Sequence, residues 1–192
     1  MTDAEQILEG QLRECYGRVV YTHKTQEKCA DILLKRHSCI KWWQIVLSAI
    51  IAGGVVTMIF DWLIEYKKLS EFIIAIISTI LLVLNSYTKD HDLGAIAQKH
   101  RQSAVNIWLI REKYLTLITA LRMKQLSLDE VCLKRDELLE ELHNIYLGSP
   151  STNFKAYQEA QKSLKTMEEM TFSDKEIDKF LPKELRRGNI ND

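Results

Sequence analysis

The uncharged stretch from Trp42 to Phe60, WWQIVLSAIIAGGVVTMIF, constrains what this chain can fold into more than any other feature. As a helix its 19 residues extend about 28 Å at ~1.5 Å per residue, which matches the hydrocarbon core of a bilayer. A second uncharged run, Phe72 to Thr88, has 17 residues and extends about 25 Å, the short end of a spanning helix. Only 11 residues, DWLIEYKKLSE, connect the two, so the pair must form an antiparallel hairpin. Helices apolar all round also occur in the cores of soluble proteins. A chain of 192 residues, however, has too little other protein to cover two of them, whereas a membrane covers them without needing any. Trp42, Trp43, Trp62 and Tyr66 stand at the ends of the first run, where amphipathic rings favour the interface. Lys28, Lys35, Arg36 and Lys41 precede the hairpin and Lys89, Lys99 and Arg101 follow it, against Lys67 and Lys68 in the connector. The positive-inside bias then predicts that both termini are cytosolic.

The flanks carry a different period. Ile7 or Leu8, Leu12, Tyr16, Val19 or Val20, Ala30 and Leu33 or Leu34 repeat at helical spacing, which predicts a long amphipathic helix running into Trp42 without a break. After the hairpin, Ile96, Ala104, Ile107, Trp108, Ile110, Tyr114, Leu115, Ile118 and Leu121 predict the main cytosolic helix. Ser127 with Glu130 has capping-box spacing and opens another helix that Gly148-Ser149-Pro150 stops. A third is expected from about Asn153 to Met170, and Ser173 with Glu176 caps a short one that must end near Pro182. The expected architecture is all-α, an integral membrane two-helix hairpin plus a cytosolic helical bundle built from both flanks. Residues 1–41 form the N-terminal cytosolic helix, 42–88 the hairpin with spans at about 42–64 and 69–88, and 89–192 the C-terminal cytosolic region.

Composition excludes several classes of function. Lys and Arg (26) balance Asp and Glu (26), so no overall field draws in nucleic acid, and no direct nucleic-acid partner is expected. Cys15, Cys29, Cys39 and Cys132 fit neither a CxxC pair nor a zinc cluster, which predicts free thiols in a reducing compartment. Met1 to Gly10 lacks the basic and apolar regions of a cleavable signal. None of the phosphate-binding, nucleophile-elbow, zinc-protease or deaminase motifs is present, so neither an enzyme nor a cofactor is expected. Asp90-His91-Asp92 with His100 is the best metal-like cluster, though a charged collar at a membrane boundary is its ordinary explanation.

Within the first span Ala49, Gly53, Thr57 and Asp61 recur every four residues as a small-to-polar stripe, and in the second Ser78, Thr79 and Asn85 lie on or beside one face. Ala49 and Gly53 are read as helix-packing positions, and Thr57, Asp61, Ser78, Thr79 and Asn85 as candidates to line the hairpin or a pore. A hairpin cannot enclose a channel alone, so the polar faces either serve an assembly of several copies or only pack the two helices together. His23-Lys24 and Arg111-Glu112 are candidates for interaction, or else solvated and paired surface residues.

The chain resembles the SLATT proteins, the SMODS and SLOG-associating two-transmembrane effectors of bacterial conflict systems. The resemblance rests on RVVYTHKTQEK (18–28), the hairpin, IWLIREKY (107–114), RDELLEEL (135–142), IYLGSPST (145–152) and FLP (180–182), in that order. It implies a pore-forming effector of the bacterial inner membrane that a separate partner switches on, and the apolar stripes around Leu12 to Val20 and Ile107 to Leu121, too extensive for one small bundle to bury, predict a homo-oligomer. That partner would be a cyclic-oligonucleotide synthase, a SLOG protein or a reverse-transcriptase system. Tyr21, His23, Lys24, Trp108, Arg111 and Tyr114, which stand within these stretches, are the cytosolic interaction candidates.

Overall fold

The computed structural model describes residues 2–59, 67–169 and 172–182. Six α-helices occur among them and no strand. Helix α1, Asp3–Ile59, is one continuous rod of 57 residues, about 86 Å long, that passes from the amphipathic flank into the apolar run without interruption. No Pro interrupts it and nothing else in its sequence forces a break, as the unbroken period through Trp42 predicts. Helix α2, Lys67–Asp90, returns beside it, and residues 60–66, with Asp61, Trp62 and the remainder of the first expected span, lie outside the described residues.

Asp92 ends the hairpin's return and starts the next element. Its side chain accepts a 2.9 Å hydrogen bond from the Ala95 amide, capping helix α3, Leu93–Arg122. Helix α3 runs antiparallel to α1. Arg101 meets Asp31 at 3.2 Å near the membrane end, and Arg122 Nε donates to buried Glu9 at 2.8 Å at the far end. At the hairpin end Gly94 packs beside His37, where a Cβ would lie at an ordinary contact distance of 3.5 Å from His37 Nε2. Met123 closes α3, and Lys124 follows in the left-handed conformation at φ 54°. Its amide donates to Leu121 O and that of Gln125 to Ala120 O, a Schellman closure.

Ser127 and Glu130 form the expected capping box on α4, Leu128–Gly148, with the Glu130 carboxylate accepting from the Ser127 amide at 2.7 Å. Helix α4 lies parallel to α1, as shown by Arg135 donating to Gln11, Tyr146 to Thr22 and Gln26 to the Pro150 carbonyl, all at one offset of 124 residues. The core is the seam where α1, α3 and α4 meet. Leu12, Val19, Ile107, Ile110, Tyr114 and Val131 are fully buried there. The alternation of three and four residues between Leu8, Leu12, Cys15 and Val19 keeps one stripe of α1 on that seam. Burying a Leu or Ile side chain contributes about 1.5–3 kcal/mol, so this seam outweighs the surface ion pairs at about 0–1 kcal/mol each.

Helix α5, Phe154–Lys165, is capped by Asn153 and lies on α1, with Ala156, Ala160 and Ser163 buried because only small residues allow so close a seat. It was expected to continue to Met170 and instead ends at Lys165. The chain turns at Glu168, which adopts φ 51°, and the Glu169 amide donates back to Ser163 O. Helix α6, Asp174–Phe180, opens at Ser173 with Glu176 accepting from its amide and hydroxyl, and stops two residues before Pro182. All four cysteines are free thiols, Cys15 and Cys29 buried.

Candidate functional site

Between the core seam and the hairpin, α1 and α3 enclose a cleft of about 780 Å³. Its α1 wall is His23, Lys24, Glu27, Lys28 and Asp31, its α3 wall Arg101, Ala104, Val105, Trp108 and Arg111, and Glu169 enters from the turn after α5. Helical spacing explains the grouping. Positions 24, 27, 28 and 31 share one face of α1, and 101, 104, 105, 108 and 111 one face of α3. The antiparallel register of the two helices then puts both sets opposite each other.

Lys24 is 8% exposed, an unusual degree of burial for an ammonium, and two carboxylates compensate it: Glu169 at 2.6 Å and Glu27 at 2.9 Å. Burial pulls the lysine toward the neutral form, but the two hydrogen-bonded carboxylates outweigh it and hold its pKa above the ordinary value. Glu169 in turn is held below the usual carboxylate range by the Lys24 hydrogen bond. It also meets Lys28 at 3.5 Å. His23 is 6% exposed and its Nδ1 has no hydrogen-bond partner, while Nε2 lies 3.8 Å from Glu27. Desolvation lowers its pKa. The Arg111 guanidinium donates to Glu112 through Nε at 2.9 Å and Nη2 at 2.6 Å.

Four of the expected interaction residues, His23, Lys24, Trp108 and Arg111, therefore share this cleft. The other two are elsewhere. Tyr21 stacks at a tilt against Tyr157 of α5, ring centroids 6.0 Å apart. Tyr114 is 0% exposed, so it belongs to the core, and its hydroxyl has no hydrogen-bond partner of normal geometry. Burial, with the neighbouring Cys15 thiol as a weak further influence, pushes its pKa up to about 12.

Gln26 is the residue that the sequence left unremarked. It is 3% exposed, its Oε1 pairs with His100 Nδ1 of α3, and its Nε2 donates to the Pro150 carbonyl, so one amide fastens three elements under the cleft. His100, expected beside Asp90 to Asp92, is instead this buried partner, while Asp92 is a helix cap and His91 leans on Tyr87. Among the described residues no group of three or more His, Cys, Asp or Glu could hold a metal ion.

In the hairpin, none of the described residues of either apolar stretch is buried inside the protein. Ala49 and Gly53 face outward from the pair, and a Cβ on Gly53 would meet nothing within 4 Å. The close approach between the two helices falls one position on, at Gly54, where a Cβ would lie 2.6 Å from Ile74 Cδ1. One residue turns the helix by about 100°, so adjacent glycines serve different faces. Asn85 accepts a 2.9 Å hydrogen bond from Gln44 Nε2, which also reaches Thr88 Oγ1 at 3.2 Å. Gln44, a lone amide inside an apolar run, was the available signal for this clasp. Thr79 is exposed with its hydroxyl donating to Ala75 O, and Ser78 is half-buried. Thr57 falls on the last turn of α1, where side chains are not described, and Asp61 lies outside the described residues.

The family model described as SMODS and SLOG-associating 2TM effector domain family 4 matches residues 8–176. No curated protein and no solved structure matches the chain.

Proposed function

The chain belongs to the SMODS and SLOG-associating two-transmembrane effector family, and from that premise we propose that it is the membrane effector of a bacterial anti-phage conflict system. It assembles into a pore that depolarises the inner membrane when a partner protein or a nucleotide signal triggers it. The family is one of membrane effector domains and not a known enzyme family, and its name associates it with SMODS and SLOG partners. The observation that carries the pore reading is the division of labour between adjacent glycines. Gly54 serves the hairpin's own packing, so the Ala49-Gly53 stripe is left outward, where only lipid or another copy can meet it. Val105 and Leu109 on α3 leave a second apolar face exposed, about 18 Å or more along α3 from its start at Leu93 and beyond the reach of lipid.

In this reading both termini are cytosolic, residues 1–41 and 89–192 form the cytosolic assembly, and residues 42–88 the spanning hairpin. Thr57, Asp61, Ser78 and Thr79 line the conduction path, with Asn85 held at its cytosolic end by Gln44. Cross-linking in detergent should give about four copies or more. Induced expression with a potential-sensitive dye is the decisive experiment. Loss of potential supports the pore, whereas membrane insertion with normal polarisation and growth refutes it and favours a non-conducting anchor for a soluble partner enzyme. If the pore reading holds, Asp61→Asn should lower cation preference in bilayer recordings while assembly is unchanged.

A further inference from the structure

We propose that the α1–α3 cleft is a binding site for a soluble phosphate-bearing anion, and that the Glu169 carboxylate is its resident occupant, which the anion displaces. Four fixed cations, Lys24, Lys28, Arg101 and Arg111, line the cleft against three carboxylates, Glu27, Asp31 and Glu169. Two of those carboxylates belong to the walls. Asp31 answers Arg101 across the cleft, and Glu27 sits three residues from Lys24 on the same helix. Glu169 alone arrives from another segment, and it contacts both lysines at once, Lys24 at 2.6 Å and Lys28 at 3.5 Å through either oxygen. That is how a multivalent oxyanion engages a lysine pair.

The strap that delivers Glu169 is short and carries backbone strain. It follows a helix of 12 residues and passes through a left-handed turn at Glu168, a conformation unfavourable for an ordinary L-residue. With Arg111 answered by Glu112 and Arg101 by Asp31, withdrawing it leaves the Lys24–Lys28 pair with Glu27 alone, one cation in excess, beside a buried histidine whose Nδ1 has no hydrogen-bond partner. An anion that takes the place of the carboxylate restores the balance.

The size and walls set the class of ligand. A volume of about 780 Å³ exceeds what one small inorganic ion fills, and Trp108, half-exposed on the α3 wall, gives a planar ring a surface to stack on. Lipid headgroups carry the same phosphate chemistry but cannot supply it here. Asp31, the wall residue nearest the membrane, is 11 residues below Trp42 on a continuous helix, about 16 Å, and Lys24 is about 27 Å below. The headgroup layer is only about 5–8 Å deep on each side. Because α1 continues from this wall into the hairpin, release of the strap has a rigid path to the membrane. That coupling rests on the pore reading above; the binding does not.

The test is calorimetric titration of the full chain, held in nanodiscs of zwitterionic lipid, with inorganic pyrophosphate and with adenosine triphosphate. Native protein should bind both, Glu169→Gln should bind them about fivefold tighter or more, and the double change Lys24→Gln/Lys28→Gln should lose binding. Trp108→Ala should weaken the triphosphate and leave pyrophosphate alone. Lys113→Gln, which removes one positive charge from the remote pair with Glu141, controls for overall charge and should change nothing. No binding of either probe, or Glu169→Gln binding no tighter than native, would overturn the proposal, as would binding that appears only in discs containing phosphatidylglycerol. Failure of the titration with a positive depolarisation assay removes the site and leaves the effector; the converse removes the pore and leaves the site.

Discussion

Replacing Tyr114 with phenylalanine should stabilise this protein, although it deletes a polar atom from a fully buried residue. Tyr114 is 0% exposed at the α1–α3–α4 seam, and its hydroxyl finds no partner of normal geometry. A buried hydroxyl left unsatisfied costs about 1–3 kcal/mol in lost hydration. The nearby Cys15 thiol returns little of that, since sulfur is a weak acceptor. Removing the oxygen leaves a gap smaller than a methyl group, a penalty well under about 1 kcal/mol. The ring and all its dispersion contacts stay. The balance predicts a gain of about 1–2 kcal/mol for Tyr114→Phe, or roughly 2–8 °C in the melting temperature of a chain of this size. Tyr114→Ala, which removes the ring as well, should lose about 3–5 kcal/mol. Thermal melts followed by circular dichroism in one detergent, with native protein alongside, measure both. If Tyr114→Phe melts lower than native while Tyr114→Ala is destabilised as expected, the hydroxyl is well bonded and the reasoning about this seam is wrong.

Lys124 adopts φ 54° at the residue after the α3 cap, so Lys124→Gly should stabilise by about 1 kcal/mol; an unchanged or lowered melting temperature would show that the Schellman geometry carries no strain. Gly54→Leu should overpack the hairpin against Ile74 at a cost of about 1–3 kcal/mol, whereas Gly53→Leu should leave the protomer's stability alone and act on the oligomer. Equal loss of stability in both variants would contradict the assignment of faces. Burial lowers the pKa of both His23 and His100, so each is held neutral when folded and titrates near its ordinary value of about 6.5 only when unfolded. Below that pH the unfolded chain binds more protons, and stability should fall as pH drops from about 6.5 toward the lower folded values. A flat unfolding free energy between pH 7.5 and 5.5, measured by denaturant titration, would count against it.

The sequence alone determined that this protein is helical and that two of its stretches are apolar enough to span a membrane. Two uncharged runs separated by a short connector leave little but a hairpin. Capping residues such as Ser127 and Ser173 placed helix starts because a cap is a local contract between residues three apart. The period through Leu8, Leu12 and Val19 named the core face for the same reason, and the order of segments around the hairpin carries the family resemblance that the family match over residues 8–176 bears out. The site was half legible. His23, Lys24, Trp108 and Arg111 stood out as residue types, but their meeting in one cleft follows from the antiparallel register of α1 and α3, which no local pattern encodes. Three further facts are tertiary as well. Gln26 binds partners 74 and 124 residues away. Glu169 reaches Lys24 only because the chain reverses at Glu168. Which of two adjacent glycines touches the neighbouring helix is settled by a rotation of about 100° per residue that spacing alone leaves unphased. Local sequence fixes what each residue can do; the packing of helices far apart in the chain decides which residues do it together.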